Sequence, residues 1–298
     1  MEKFSTHHPL LQRTFALFLI ASMALLAACS SIRLSYNNGD TLLYWWLDAY
    51  VDFEGDQADW VKRDIRELFQ WHRKTQLQDY AALLSGFQRE LAGNPTQADL
   101  LGAYRQIRTR TETLAMHAVP DMVDLARSLT PDQIRQMEER FNKKNEEFRR
   151  KFVNGSVEKR QEARFDKSMD QFKLWFGRFN NEQEEQLRRA SYARPLDSNV
   201  WLDERIDRQR KILALARKVQ QEKPSREQTT AMVTSLLREF FGRIDAPERK
   251  TFYDSYANAT SNYILTAIRI ATPAQKAHAQ KRMQGWIDDF NALAREAK

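Results

Sequence analysis

The sequence predicts an all-α protein, an extended array or bundle of about eight to ten amphipathic helices. Only nine glycines and eight prolines occur in 298 residues, so few positions favour turns in this charged and aromatic-rich chain. Apolar residues recur at three- and four-residue spacing in most segments, as on one face of a helix. No segment alternates apolar and polar residues with β-branched enrichment, so no strand is predicted.

The first 28 residues have the layout of a secretory signal peptide. Lys3 and Arg13 precede an apolar run over residues 15–26, and small residues follow it. The run is shorter than the ~20 residues that a membrane-spanning helix needs. Leu26-Ala27-Ala28-Cys29 resembles the lipobox of bacterial lipoproteins, which implies cleavage before Cys29 and acylation of this residue. The alternative is an ordinary signal peptide that happens to contain a cysteine.

Lipidation of Cys29 would fix the location of the protein. Two or three acyl chains anchor a protein stably, whereas one chain binds only marginally. Ser30 follows the cysteine, and the likeness to Gram-negative lipoproteins implies sorting to the outer membrane, facing the periplasm, because Asp at this position favours retention in the inner membrane. Residues 29–39 are then a polar, lipidated tether, and residues 40–298 are the helical domain, with a division into two subdomains near residue 129 as one option.

The distribution of basic and acidic residues along the sequence indicates which classes of binding partner to expect. The formal net charge is +7, but Lys and Arg alternate with Asp and Glu on most predicted helices, which is typical of solvated, salt-bridged faces. Together with a secreted location, this pattern argues against nucleic acid as a partner. Attraction to an acidic membrane surface or envelope polymer stays open.

An aromatic-dense helix is predicted directly after the tether. Five apolar residues share one helical face and favour a core helix: Leu42, Trp46, Ala49, Tyr50 and Phe53. The alternative is a Trp and Tyr belt at the membrane interface, because Trp45 and its neighbours lie within about twenty residues of the lipid. Further helical patterns cover 57–91, 96–116, 122–128, 130–152, 165–179, 182–193, 202–216, 225–242, 247–271 and 272–298.

Phenylalanine and methionine form a seam on two of these segments, which are either one interrupted helix or an antiparallel pair. Such a seam is typical of a core, but an accessible seam of flexible Met and Phe side chains also suits the binding of protein clients. The candidate binding surface consists of Phe141, Phe148, Phe152, Phe165, Met169, Phe172 and Phe176.

Four helix starts repeat one pattern, in which a short polar residue precedes glutamine by three positions. They begin at Thr130, Asn180, Ser225 and Thr272. The pattern predicts a capping box at each start, and the spacing of 45 to 50 residues suggests a repeated helical unit.

Two resemblances rest on short motifs. Leu129-Thr130-Pro131-Asp132-Gln133 resembles the LTxxQ motif of the Spy and CpxP family of small helical periplasmic chaperones, and residues 271–275 are similar. The order of segments resembles an uncharacterised family of bacterial lipoproteins, through residues 29–38, Trp45-Trp46-Leu47-Asp48 and Trp71-His72-Arg73. This second likeness implies an envelope location and a helical fold.

Catalytic and metal-binding motifs are scarce in the sequence. There is no HExxH, CxxC, GxSxG or P-loop, and His72, His117 and His278 are the histidines after the signal segment. We therefore expect no metal and no cofactor. The sequence predicts a lipid-anchored protein that binds envelope proteins as a holdase or scaffold, with no chemistry of its own. The alternative is an envelope enzyme acting on cell-wall glycan, for which Asp48 with Asp52 and Asp288 with Asp289 are candidate carboxylate pairs.

Overall fold

The computed structural model describes residues 31–195 and 197–296; Cys29 and the signal segment lie outside them. The described part is all-α, which confirms the predicted fold class, and its thirteen α-helices slightly exceed the expected number. They are α1 (Ser31–Asn37), α2 (Gly39–Val51), α3 (Asp56–Thr75), α4 (Leu77–Ala92), α5 (Gln97–His117), α6 (Val119–Ser128), α7 (Pro131–Phe148), α8 (Val157–Phe176), α9 (Asn181–Tyr192), α10 (Ser198–Glu222), α11 (Arg226–Gly242), α12 (Pro247–Ile270) and α13 (Pro273–Glu296). A π-helical turn follows α7, and a 3₁₀ turn follows α11.

The expected polar tether is wrong for residues 31–37, which form α1. The hydroxyl of Tyr36 forms a hydrogen bond of 2.9 Å with Nδ1 of His72 on α3. The ring of Tyr36 also packs against Leu77 of α4 and Leu293 of α13. Burial of this aromatic ring explains why the segment folds onto the domain instead of standing free of it.

The core consists of four hydrophobic clusters. The largest is formed mainly by α8, α9, α12 and α13, and the second by α2, α3, α7 and α10. All four clusters combine helices from both sides of residue 129, so the packing of the described residues gives no boundary there. None of the described helices is both long and apolar enough to cross a bilayer.

All four predicted capping boxes are present. Gln133, Gln183, Gln228 and Gln275 each accept a hydrogen bond from the backbone N–H of the residue three positions earlier. In return, the side-chain oxygen of that earlier residue, a hydroxyl or an amide oxygen, accepts a hydrogen bond from the backbone N–H of the glutamine. These bonds satisfy helix-terminal N–H groups that have no partner within the helix.

Two of these glutamines also bind each other. Nε2 of Gln183 donates to Oε1 of Gln275 at 2.9 Å and to the carbonyl of Ile270 at 2.8 Å. Nε2 of Gln275 donates to the carbonyl of Arg178 at 2.6 Å. Both side chains are buried, so the Gln183–Gln275 pair joins the starts of α9 and α13 inside the core.

A second glutamine pair repeats this geometry in the other large cluster. Nε2 of Gln133 donates to Oε1 of Gln57 and to the carbonyl of Asp52. Asp52 directly precedes Phe53, and Gln57 follows Phe53 by four positions. In the same way, Arg178 directly precedes Phe179, and Gln183 follows Phe179 by four positions. The repeated unit is therefore a pair of helix starts. The four evenly spaced helix starts do not each begin one copy of a repeated unit, because Gln228 is exposed and forms no such pair among the described residues.

Candidate functional site

A cavity of about 560 Å³ lies between α4, α5, α8, α12 and α13. This volume is typical of sites that bind small molecules. Most of the wall is apolar and includes Leu91, Leu100, Phe172, Phe176, Ile268 and Met283. The site therefore favours a ligand with a large apolar surface.

Two helices give the cavity a polar and an apolar end. On α8, Arg164 and Ser168 line the cavity before Phe172 and Phe176, at spacings that keep all four on one helical face. On α12, hydroxyl-bearing side chains likewise precede the apolar ones: Tyr256, Thr260 and Tyr263 precede Ile264 and Ile268. The cavity wall is thus amphipathic.

Two arginines form the polar end. Arg194, in the turn after α9, is only 7% exposed. Its Nη2 donates to the hydroxyls of Ser168 at 3.3 Å and Ser191 at 3.0 Å, and its guanidinium lies 4.1 Å from the ring centroid of Tyr263. Arg164 donates to the backbone carbonyls of Ser191, Arg194 and Pro195. These carbonyls follow or end α9, where a helix attracts positive charge.

In the described part of the chain, no ion pair balances the positive charge of this end. Within residues 31–195 and 197–296, neither guanidinium is paired with a carboxylate. Burial lowers the pKa of Arg194, and burial together with the charge of Arg194 lowers the pKa of Arg164. Burial also raises the pKa of the Tyr263 hydroxyl. Three buried polar atoms here make no hydrogen bond within the described residues: Nε of Arg164, Nε of Arg194 and Oγ1 of Thr260.

One carboxyl group lines the cavity, on α4. Glu90 is half-buried, and burial raises its pKa, to which the negative charge of Asp99 adds. Both effects favour the neutral form of Glu90. Within the described residues, Glu90 makes no ion pair with Arg164 or Arg194.

The predicted binding surface is not one accessible seam, because four of its seven residues are buried. Phe165, Met169, Phe172 and Phe176 are buried in the largest cluster, although Phe172 and Phe176 line the cavity. Phe141, Phe148 and Phe152 are half-buried, and Phe141 packs against the second cluster. The seams of α7 and α8 enter different clusters, and a π-helical turn and residues 154–156 separate the two helices.

Several of the other predicted groups have structural partners. Oδ1 of Asp48 accepts a hydrogen bond of 2.9 Å from the N–H of Phe53 at the end of α2, and Asp288 accepts one from Gln284. His117 stacks on Trp71 with ring centroids 3.5 Å apart. The described residues contain no group of three or more His, Cys, Asp or Glu side chains placed to hold a metal ion.

An exposed apolar surface covers α1 and α2. We call Leu34, Leu42, Trp45 and Trp46 the N-terminal apolar face; their side chains are 51% to 66% exposed. The prediction that Leu42 and Trp46 belong to a core face is therefore wrong, while Phe53 is buried as expected. The side of α2 that packs on the core carries Leu43, Tyr44 and Leu47 instead.

Comparison with known proteins gives one match. Neither the curated proteins nor the solved structures contain a significant match to the chain. The sequence model of DUF6279, a family of unknown function, matches residues 49–239. This range ends within α11, so the α12 and α13 walls of the cavity lie beyond it. Because the match covers more than half of the chain, the protein belongs to the DUF6279 family, which confirms the prediction of an uncharacterised family.

Proposed function

We propose that the protein is an acylated protein of the bacterial outer membrane that faces the periplasm and binds a hydrophobic ligand. The cavity between α4, α5, α8, α12 and α13 carries this proposal. Its volume and its apolar wall suit a small hydrophobic molecule, and burial of each methylene group of such a ligand contributes about 0.8 kcal/mol. The function is binding and requires no cofactor.

The N-terminal apolar face supports the membrane location. Contiguous exposed apolar residues on a protein surface mark interaction sites, and tryptophan is enriched where proteins meet the headgroup region of a bilayer. Trp45 and Trp46 are 62% and 58% exposed, and they follow Cys29 closely in the chain. The acyl chains and this face would therefore contact the same membrane.

Burial of the Phe and Met seam changes the ligand that we propose. Capture of an unfolded envelope protein would need an accessible seam, but Phe165 and Met169 are 2% and 3% exposed. The cavity offers an apolar surface that a small molecule can fill. We therefore propose a small hydrophobic ligand in place of a polypeptide client.

Filling the cavity is expected to weaken ligand binding. Ala103 lines the cavity from α5, and in Ala103→Trp the indole would exclude about two methylene groups of a bound chain. That loss costs about 1.6 kcal/mol, or roughly tenfold in affinity. The measurement is photolabelling of the full chain in its membranes with an uncharged, photoactivatable long-chain alcohol, with the labelled peptides mapped by mass spectrometry.

The control is Ala82→Trp, which adds the same side chain on the exposed side of α4 and should leave the labelling unchanged. Wild-type protein that is never labelled on the helices lining the cavity would contradict the proposed function.

Loss of the acylated residue is expected to release the protein from its location. In Cys29→Ala no thiol remains for the acyl chains, so the chain should stay unprocessed or leave the outer membrane. The measurement is membrane fractionation combined with the mass of the mature amino terminus. Ser30→Ala is the control and should fractionate as wild type; an unchanged distribution of Cys29→Ala would count against the anchor.

A further inference from the structure

The two arginines of the cavity carry an unbalanced charge in a buried place. Burial of a charge without a counter-charge is costly, and proteins normally pair such groups. Among the residues that the structure describes, the guanidinium of Arg194 has neutral partners, which are two serine hydroxyls and the ring of Tyr263. Arg164 lies next to it and adds repulsion. An anion at this point would remove both costs at once.

The free donors match the oxygen atoms of such an anion. Nε of Arg164 and Nε of Arg194 are buried and make no hydrogen bond, and the hydroxyl of Thr260 beside them is also unpaired. A guanidinium group binds the oxygens of a carboxylate or a phosphate in a bidentate, charge-assisted geometry. Lys167, exposed on α8 at the same end, adds positive charge that would attract the anion.

The rest of the cavity determines what the anion is attached to. From Arg164 to Phe176, α8 lines the cavity over about 18 Å, and its side chains change from polar to apolar in that direction. Ile268 and Met283, from two other helices, add to the apolar wall. A free inorganic anion would leave this apolar part of the site unused.

We propose that the cavity binds an amphiphile whose single anionic head group is held by Arg164 and Arg194 and whose hydrocarbon chain lies against the apolar wall. This assignment deepens the proposed function and rests on it. A fatty acid and a lysophospholipid with a terminal phosphate share this chemistry. Either could come from the membrane that the protein is proposed to contact.

A purely structural role of the arginines makes a different prediction. Arg164 binds three carbonyls at the end of α9, and Arg194 packs on Tyr263. If they served only to hold this end of α9, removal of either charge would affect anionic and neutral ligands equally. Selectivity for charge therefore separates the two roles.

The test compares three photoactivatable probes of equal chain length: a fatty acid, a lysophosphatidic acid and the uncharged alcohol. Each is applied to the full chain in its membranes. We expect at least one anionic probe to label α8 and α12 about tenfold more than the alcohol, because charge-assisted hydrogen bonds contribute that much. Arg194→Met should remove this preference and leave alcohol labelling unchanged, while Arg194→Lys should keep part of it.

The control is Arg189→Met, which removes an exposed arginine of α9 that pairs with Glu185 and should keep the preference. Equal labelling by charged and uncharged probes in the wild type would overturn the inference and leave the proposed function standing. An equal loss of labelling by all three probes in Arg194→Met and in Arg194→Lys would also overturn the inference and leave the proposed function standing. Absence of cavity labelling by every probe would overturn both.

Discussion

Replacement of Gln275 by leucine is expected to lower the free energy of unfolding by about 3 kcal/mol. The substitution keeps the size of the side chain but removes the four hydrogen bonds that this side chain forms. The N–H of Thr272, the carbonyl of Arg178 and the amide of Gln183 each lose a partner. Each buried group left unpaired costs about 1–3 kcal/mol, and partial access of water to the helix start keeps the total near the lower end.

Denaturant unfolding of the variant measures this loss, and the capping box of α11 provides a matched control. Gln228 caps its helix through Ser225 in the same way, but its side chain is exposed and the described residues give its amide no second partner. Gln228→Leu should therefore cost about 1 kcal/mol, the usual value of a lost cap. Equal losses in the two variants would show that the pairing of Gln183 with Gln275 contributes nothing.

The capping boxes of the helices could be predicted from the sequence, whereas the pairing of glutamine side chains between two helix starts could not. A polar residue three positions before glutamine indicates a helix start, because both bonds of the box are local. The partner of Gln275 lies 92 residues away, and Gln57 follows Gly55 and Asp56 with no residue that marks it as a cap. Only the folded chain brings these side chains together.

The prediction of the core face of α2 is wrong because apolar side chains lie on more than one side of this helix. Leu42 and Trp46 share a helical face, but so do Leu43 and Leu47. Periodicity does not distinguish the two faces, and contacts with α3 and α7 decide which one is buried. The same segment was correctly expected to be helical, since helicity depends on local composition.

The arginines of the cavity were missed for a similar reason. Arg164 and Ser168 do share a helical face with Phe172, which was the available signal. Arg194 lies 30 residues after Arg164, in a turn, and its unpaired state depends on which acidic side chains fold near it. In a chain with 47 Lys and Arg residues, sequence alone does not reveal which two meet at the wall of a cavity.

Replacement of Glu204 by glutamine is expected to lower the free energy of unfolding by about 3 kcal/mol, and the melting temperature by about 8 °C. Glu204 on α10 is 1% exposed. Its carboxylate lies 2.7 Å from Nε of Arg243 in the 3₁₀ turn and 3.1 Å from Nε of Arg249 on α12. The amide keeps the shape of the side chain but leaves two guanidinium groups without this counter-charge. Thermal unfolding measures the change.

The matched control is Glu138→Gln, which breaks an exposed ion pair of 2.6 Å with Arg217 and should change the stability by less than about 1 kcal/mol. A loss in Glu204→Gln no larger than in this control would contradict the prediction. The comparison also bears on the cavity, because Glu204 shows that this fold supplies a buried acid where two arginines meet. No acid within residues 31–195 and 197–296 forms an ion pair with Arg164 or Arg194, and an anionic ligand would supply the missing negative charge.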